Sequence, residues 1–272
     1  MCGIFAISLL SSCIFCVAAH IYMKIVPVTC RYGDISRSSN SRNVLLIQKV
    51  AEIIRVHQNN DTAVAFGVVA ARILEAVILS STEASLTPAL LLHALNTCLD
   101  TVRGDLEIIL GTDKSELIDV VIAAYQRAKT AATEYATLDE LLLQLSHEKM
   151  KDQPENPFYD LAARSCALPA SFIGPVYQLY KVAMSSSSDT VLEENVYIDA
   201  IRENIFAAGD TCSRGVFVGA VLAAAIALPD DKATSQFETF WEQVEMNTRT
   251  KVQSYADQIA APKLATNAND EL

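Results

Sequence analysis

A short turn before a long apolar run carries the densest group of chemically useful side chains. Residues 209–213 read Gly-Asp-Thr-Cys-Ser, so a carboxylate, two hydroxyls and a thiol fall within four positions. Carboxylate and hydroxyl oxygens are ligands for hard divalent cations such as Mg²⁺. The same residue types also begin helices, because an Asp or Ser side chain accepts hydrogen bonds from free N–H groups of the first turn. Taken alone, the pattern favours Asp210 as a helix cap over Asp210 as a metal ligand.

The elements that must position this turn are helices. Residues 62–79 and 214–228 are apolar on nearly every face, which is typical of helices at the centre of a bundle. Thr137-x-x-Glu140 matches the capping-box pattern of a helix start. Glycine and proline are scarce, and no stretch alternates with a period of two for long. The sequence therefore predicts one all-α domain over residues 44–260, with the two apolar helices buried against each other.

The composition limits the classes of function. The chain has 272 residues and a net charge of -11, so it lacks the basic surface that sequence-independent binding to a nucleic-acid polymer needs. Its seven cysteines fix neither a disulfide framework nor a redox compartment. The pair Cys13-x-x-Cys16 lies in an apolar stretch, and we interpret it as two small hydrophobic residues rather than a metal or redox pair.

The amino-terminal stretch, residues 4–23, has no formal charge and is long enough to span a bilayer as a helix. Three interpretations stay open for the hydrophobic leader, residues 1–30: a signal peptide, an uncleaved anchor, or a mis-predicted exon in place of a genuine amino-terminal part. We expect a separate helix there, divided from the domain by a polar linker at residues 31–43. Membrane contact through residues 4–23 would follow from either targeting interpretation.

The chain ends in an acidic tail, residues 261–272, whose last four residues are Asn-Asp-Glu-Leu. This ending is close to the Lys-Asp-Glu-Leu retrieval signal of the endoplasmic reticulum, with Asn269 in place of lysine. An ordinary acidic tail is the preferred interpretation. A genuine leader would place the chain in a membrane or in the endoplasmic reticulum, and without one the chain would be cytoplasmic.

Four segments together resemble one protein family. Residues 203–228 are similar to the carboxy-terminal signature of the ADP-ribosylglycohydrolase family, Gly-Gly-Asp-Thr/Ser-Asp-Thr/Ser before an Ala/Gly-rich helix. Residues 55–79 resemble the family's Thr-His-Asn turn and the small-residue helix after it, and residues 167–181 resemble the segment upstream of the signature. Residues 228–244 fit the proline and amphipathic helix that follow. The order and spacing of the four segments agree over residues 44–260.

The resemblance implies a fold, a reaction and a set of site residues. The family fold is a single orthogonal multi-helix bundle with two Mg²⁺ ions in a cleft. The family reaction hydrolyses the anomeric bond of ADP-ribose, so the partner is ADP-ribose or an ADP-ribosylated acceptor. Hard dications on oxygen ligands orient ribose hydroxyls and an attacking water. By position, the family's metal ligands fall on Asp210, Cys212 and Ser213. The substrate-binding positions fall on His57, Gln58, Asn59, Asn60 and Gly209.

The sequence also departs from the family pattern. Cys212 stands where the family has a second Asp, and a thiol is a poor ligand for Mg²⁺. The family's Ser/Thr-Asp-Asp turn and its early Gly-Asp-Ala-x-Gly segment are not found, so the resemblance covers about the last two thirds of the family domain. We therefore expect at most one weakly bound Mg²⁺ and a partial or catalytically impaired hydrolase. We also expect Asp210 and Ser213 to face a cleft shared with the turn at residues 57–61.

Two alternatives to an impaired hydrolase stay open. The first is a non-catalytic protein of the same fold, either structural, as in some eye-lens crystallins, or binding ADP-ribose without cleaving it. The second is an anchored or luminal helical protein whose resemblance to the family is accidental. Titrations with Mg²⁺ and ADP-ribose separate the hydrolase from the non-catalytic protein.

Overall fold

The computed structural model describes residues 21–33, 44–81, 86–184, 191–226 and 246–260. Within these ranges every regular element is a helix, which confirms the predicted all-α fold. A short 3₁₀ turn, Thr112–Lys114, separates the fourth and fifth helices. The helices are α1 Ile21–Tyr32, α2 Val44–His57, α3 Asp61–Ser80, α4 Pro88–Leu110, α5 Ser115–Glu134, α6 Leu138–Lys149, α7 Ala170–Ala183, α8 Glu194–Phe206, α9 Thr211–Ile226 and α10 Met246–Ala260.

Helices α3 and α9 form the centre of the bundle. Fourteen of the 20 residues of α3 are buried, and α9 is buried along most of its length. The two helices pack against each other, as predicted for residues 62–79 and 214–228, and residues 227 and 228 lie outside the described residues. Around them, α3 contacts α1, α2, α4 and α5, while α9 contacts α1, α7 and α8. All-round apolar helices take this position because no face of them is suited to water.

Helix α1 packs into the bundle. Tyr22 and Ile25 have no exposed surface, and α1 contacts α2, α3 and α9. The structure therefore corrects the prediction of a separate leader over residues 1–30 for residues 21–30 alone, whose apolar side chains cover the core. Residues 1–20 lie outside the described residues, so a separate helix and membrane contact there stay predictions.

One described helix, α3, is long and apolar enough to cross a bilayer by length and composition alone. Within its most apolar window, 78% of the residues are buried inside the bundle. A core helix of a globular protein has this same apolar character, because all of its faces meet other helices. The length and hydropathy of α3 are therefore explained by its central position.

The chain divides into two compact units, residues 1–229 and 230–272. The boundary falls inside the range predicted as one domain, residues 44–260. Helix α10 is the described part of the second unit, and its described side chains are exposed and mostly polar. A helix of this composition has few apolar residues with which to extend a hydrophobic core. The acidic tail, residues 261–272, lies outside the described residues.

A buried ion cluster joins α3 to α4. The guanidinium of Arg72 makes two hydrogen bonds to the Asp105 carboxylate, Nε to Oδ2 at 3.0 Å and Nη2 to Oδ1 at 3.1 Å. Its third nitrogen, Nη1, donates to Glu75 Oε2 at 2.5 Å. All three residues are buried. Such charges are tolerated in a core only when they are paired and hydrogen-bonded, which explains the only formal charges within the apolar run of α3.

Helix starts follow the sequence signals. The predicted capping box is present at α6, where Thr137 Oγ1 accepts from the Glu140 N–H at 3.2 Å and Glu140 Oε2 accepts from the Thr137 N–H at 3.3 Å. Asn60 caps α3, since its Oδ1 accepts from the Thr62 N–H at 2.8 Å. A cap of this kind stabilises a helix by about 1 kcal/mol. The caps fix where α3 and α6 begin.

Candidate functional site

The turns before α3 and α9, which the sequence singled out, lie at the same end of the bundle. Tyr22 of α1 stacks on Phe217 in the second turn of α9, with ring centroids 4.9 Å apart. One turn further along α1, Ile25 lies beside Gly67 in the second turn of α3, since a Cβ at Gly67 would be 3.8 Å from Ile25 Cγ2. The far ends of the two helices are also close, since the N–H of Leu86, six residues after α3 ends, donates to the Ala225 carbonyl oxygen near the end of α9 at 2.8 Å. The two helices therefore run in the same direction, and the turns that precede them are at one end.

The backbone conformation at the α8–α9 corner, residues 207–210, restricts which residues can occupy it. Gly209 has φ of +74° and Ala208 has φ of +56°, both in the left-handed region that favours glycine. A Cβ on Gly209 would lie 2.1 Å from the carbonyl oxygen of Arg164, closer than any real contact. Gly209 is therefore required by the fold, whatever it does for a substrate. Ala208, which stands where the resembled pattern has glycine, adopts the same region at a steric cost.

Asp210 begins α9 in the way that its pattern favoured. Its carboxylate Oδ1 accepts from the Ser213 N–H at 3.4 Å, and its own N–H donates to the Arg164 carbonyl oxygen at 2.8 Å. The other carboxylate oxygen, Oδ2, is buried and has no hydrogen-bond partner among the described residues. Buried polar atoms are nearly always hydrogen-bonded. Oδ2 therefore keeps an unused capacity to accept a hydrogen bond.

Arg214, one turn into α9, is fully buried beside the corner. Its Nε donates to Asn204 Oδ1 at 2.9 Å, and its Nη2 donates to the Ala208 carbonyl oxygen. The remaining nitrogen, Nη1, is buried and has no partner among the described residues. Burial lowers the pKa of Arg214, the Asp210 carboxylate opposes that change, and the Arg164 guanidinium adds to it. An arginine nevertheless stays protonated in proteins, so a permanent positive charge lies at this site.

Arg164 and Asn204 hold the corner from two sides. The guanidinium Nη1 of Arg164 donates to Asp139 Oδ1 at 2.6 Å and to the Ala207 carbonyl oxygen. The amide Nδ2 of Asn204 donates to the Thr211 carbonyl oxygen at 2.8 Å. The turn is therefore fixed by side chains of the bundle itself.

The remaining residues of the turn differ in their exposure. Ser213 is buried, and its N–H bonds Asp210. Cys212 is exposed and carries a free thiol. The structure thus brings Asp210 and Ser213 together, while Cys212 faces solvent. A role for the three as metal ligands stays a prediction.

In the turn before α3, the predicted substrate-binding residues are engaged to different degrees. His57 is exposed, and Gln58 is half-buried. Asn59 Oδ1 accepts from Arg55 Nη1 at 3.1 Å, and Asn60 caps α3. The two asparagine side chains therefore stabilise the turn itself, and a cleft shared with Asp210 and Ser213 stays a prediction.

Asp61 anchors this same turn to the start of α5. Its Oδ1 accepts from Arg55 Nη2 at 2.7 Å, and its Oδ2 lies 3.3 Å from Lys114 Nζ. The hydrogen bond from Arg55 lowers the pKa of the Asp61 carboxyl, burial opposes this in part, and Lys114 lowers it further. The carboxylate is therefore held charged between two cations and is occupied by them.

The residues around Asp210 that the sequence did not identify are mainly cationic or amide side chains. Arg214 and Asn204 lie in the stretch that carries the signature, and a lone Arg opening an otherwise apolar helix was the available signal. Arg164 is far away in the sequence, and no local pattern marks it. Tyr22 is near enough for Asp210 to act on it: burial raises the pKa of the Tyr22 hydroxyl, and the carboxylate raises it further.

The donor set that the described residues provide at this end of the bundle does not fit two divalent cations. Within the described ranges, no group of three or more His, Cys, Asp or Glu side chains is placed to hold a metal ion. Asp210 supplies one carboxylate with the Arg214 guanidinium near it, and the Asp139 carboxylate is paired with Arg164. Two adjacent dications need several carboxylates to balance their charge. The permanent positive charge of Arg214 opposes a dication instead.

Comparison with known proteins gives one match. A family model described as ADP-ribosylglycohydrolase matches residues 18–267, nearly the whole chain. The matched range includes α1, in agreement with the packing of that helix in the bundle. No match was found among curated proteins or among solved structures.

Proposed function

Because this chain belongs to the ADP-ribosylglycohydrolase family, we propose that it binds the ADP-ribosyl unit of its substrates at the end of the bundle where α3 and α9 begin. Hydrolysis of the anomeric bond, the family reaction, is weak or absent in this chain. Family membership supports the class of partner, since the family acts on ADP-ribosylated substrates. The composition of the site around Asp210 supports the impairment.

The observation that carries the proposal is the state of the Asp210 carboxylate. Its Oδ2 is buried at the start of α9 without a hydrogen-bond partner among the described residues. A carboxylate oxygen accepts hydrogen bonds from hydroxyl groups, and the riboses of ADP-ribose offer several. The site therefore keeps an acceptor with which to bind a ribose. Hydrolysis needs more, because an attacking water must also be oriented and activated.

Magnesium dependence enters the proposal only in a limited form. Asp210 is the carboxylate that begins α9, and its Oδ1 is engaged by the Ser213 N–H. The Asp139 carboxylate, on the other side of the corner, is paired with Arg164. Cys212 offers a soft thiol that suits Mg²⁺ poorly. We expect at most one Mg²⁺, bound weakly, and we assign no step of a reaction to it.

A non-catalytic, crystallin-like structural role is the alternative. It is favoured by the bonds from Arg164, Asn204 and Arg214, which fix the corner without any ligand. A purely structural protein would not bind ADP-ribose, whereas an impaired hydrolase would. Binding therefore separates the two functions.

The test is calorimetric titration of the full chain with ADP-ribose, together with an assay of ADP-ribose release from an ADP-ribosylated protein. We expect saturable binding, weakened about tenfold in Asp210→Asn, which corresponds to one lost charge-assisted hydrogen bond. Asp152→Asn, at an exposed aspartate far from the corner in sequence, is the matched control and should bind as the wild type does.

Release of ADP-ribose should stay near background with and without Mg²⁺. Robust magnesium-dependent turnover by the unmodified chain would overturn the impairment and leave an active hydrolase. No ADP-ribose binding by a folded wild type would overturn the proposal in favour of the structural role.

A further inference from the structure

Asp210 and Arg214 lie one helical turn apart at the start of α9, a spacing at which side chains are neighbours. Each has one buried polar atom without a hydrogen-bond partner among the described residues, Oδ2 of Asp210 and Nη1 of Arg214. The Arg214 side chain is directed back over the corner, since its Nη2 donates to the carbonyl oxygen of Ala208, two residues before Asp210. An anion and a cation are thus neighbours at the start of α9, with no hydrogen bond between these two buried atoms.

The energetics of burial require these two charges to compensate each other. A single buried charge costs several kcal/mol, and an opposite charge nearby offsets part of that cost. Arg164 does not serve Asp210 in this way, because its guanidinium is already bonded to Asp139 at 2.6 Å. Arg214 bonds only the uncharged groups of Asn204 and Ala208 among the described residues, so Asp210, one turn away, remains available to compensate its charge.

We propose that the Arg214 guanidinium is the resident counter-cation of Asp210 and takes the place that a divalent cation would have at this carboxylate. The inference concerns the site of the proposed function and rests on its assignment to Asp210. With this counter-cation the site needs no metal ion. A dication that approached Oδ2 would be repelled by the Arg214 charge, which is part of the chain and cannot leave. Arg214 is a positioning residue here, because it acts through Asp210.

A double-mutant cycle on thermal unfolding tests the pairing without ADP-ribose. Asp210→Asn keeps a good N-cap and removes the charge, so it isolates the electrostatic part. Leaving Arg214 buried without a counter-charge should lower Tm by about 4–8 °C. Asp152→Asn, the control, should leave Tm unchanged. Arg214→Gln should also lower Tm. The double variant Asp210→Asn/Arg214→Gln should show a decrease in Tm that is clearly smaller than the sum of the two single decreases.

A magnesium titration of the same proteins provides the second readout. The wild type should show no saturable rise of Tm with Mg²⁺, because Arg214 already neutralises Asp210. A saturable rise that Asp210→Asn abolishes would overturn the proposal, and so would additive losses in the cycle. If Arg214→Gln does not fold, the Tm of Asp210→Asn and the wild-type titration decide the question. In that case, an Asp210→Asn variant whose Tm equals that of the Asp152→Asn control overturns the proposal. Neither readout uses ADP-ribose. A failure of the proposed pairing can therefore be distinguished from a failure of the proposed function.

Discussion

The N–H of Asp210 donates to the carbonyl oxygen of Arg164 at 2.8 Å, and the guanidinium of Arg164 donates to the carbonyl oxygen of Ala207. One residue from the segment before α7 therefore holds both ends of the α8–α9 corner. The carboxylate that begins α9 is positioned by this contact before any ligand arrives. Preorganisation of this kind reduces the entropy that binding must overcome.

Gly209→Ala should destabilise the fold by about 1–3 kcal/mol, the range for a strained backbone position. The new Cβ would lie 2.1 Å from the Arg164 carbonyl oxygen, and φ of +74° adds strain. Gly33→Ala is the matched control, because its Cβ would meet only ordinary contacts, the nearest at 3.7 Å from Thr29 Cγ2. Urea unfolding measures both. Equal stability of the two variants would contradict the prediction.

Ala208→Gly should stabilise the protein by up to about 1 kcal/mol, because glycine adopts the left-handed region without the steric cost of a Cβ. Ala208 has φ of +56°. The neighbouring Ala207→Gly serves as control: its φ of -68° is right-handed, so glycine gains nothing there and should destabilise. The comparison is made by thermal unfolding, and a loss of stability in Ala208→Gly would show that the corner carries no strain.

Arg72→Met should cost about 3–5 kcal/mol, because it leaves two carboxylates buried without their cation. Asp105 and Glu75 both bond this guanidinium in the core. Arg103→Met removes a cation that is 48% exposed and pairs with Asp119 on the surface, so it should cost far less than Arg72→Met. Chemical denaturation of both variants checks the difference. Similar losses of stability in the two variants would mean that the buried cluster stabilises the fold no more than the surface ion pair does.

Cys212 should react with iodoacetamide in the native protein at pH 8, while Cys98 should not. Cys98 is buried, and its burial raises the pKa of the thiol to about 12, so little reactive thiolate forms. Cys212 is exposed. Mass spectrometry of the alkylated peptides distinguishes the two sites, and both should react in urea. Equal native labelling would require α4 to open readily.

Cys212→Asp should improve magnesium binding without restoring full hydrolysis. The change adds a second carboxylate to the turn that holds Asp210, but the Arg214 charge still opposes a dication. Cys212→Asn, of equal size and without charge, is the control and should leave magnesium binding unchanged. Calorimetry measures binding, and release of ADP-ribose measures activity. A fully active Cys212→Asp enzyme would show that the lack of this one carboxylate accounts for the whole loss of hydrolysis.

The fold was predictable where its signals are local. Residues 62–79 are apolar all round, and this alone indicates a central helix; the capping box at Thr137 likewise involves neighbouring residues. The position of α1 was not predictable, because an apolar stretch such as Ile21–Tyr32 suits a leader and a core helix equally. Only the packing of Tyr22 against α9 decides between them.

The candidate site, like the fold, was predictable only where its signals are local. Asp210 and Ser213 are recognisable from a short pattern, and their contact spans one turn. The role of Arg164 depends on a chain segment far away in sequence, and the path of the Arg214 side chain depends on Asn204 and Ala208. The left-handed conformation of Ala208 is imposed by these same tertiary contacts, and no alanine propensity foretells it.

The bonds of Arg214 also bear on how this part of the protein opens. Helix ends normally fray independently, each exposing its last amides to solvent. Here Arg214 bonds Asn204 near the end of α8, and Asn204 bonds the Thr211 carbonyl oxygen at the start of α9. Neither helix end can unwind without breaking bonds of the other. The last turn of α8 and the first turn of α9 should therefore exchange their amide hydrogens as one cooperative unit, with matched protection on both sides of the corner.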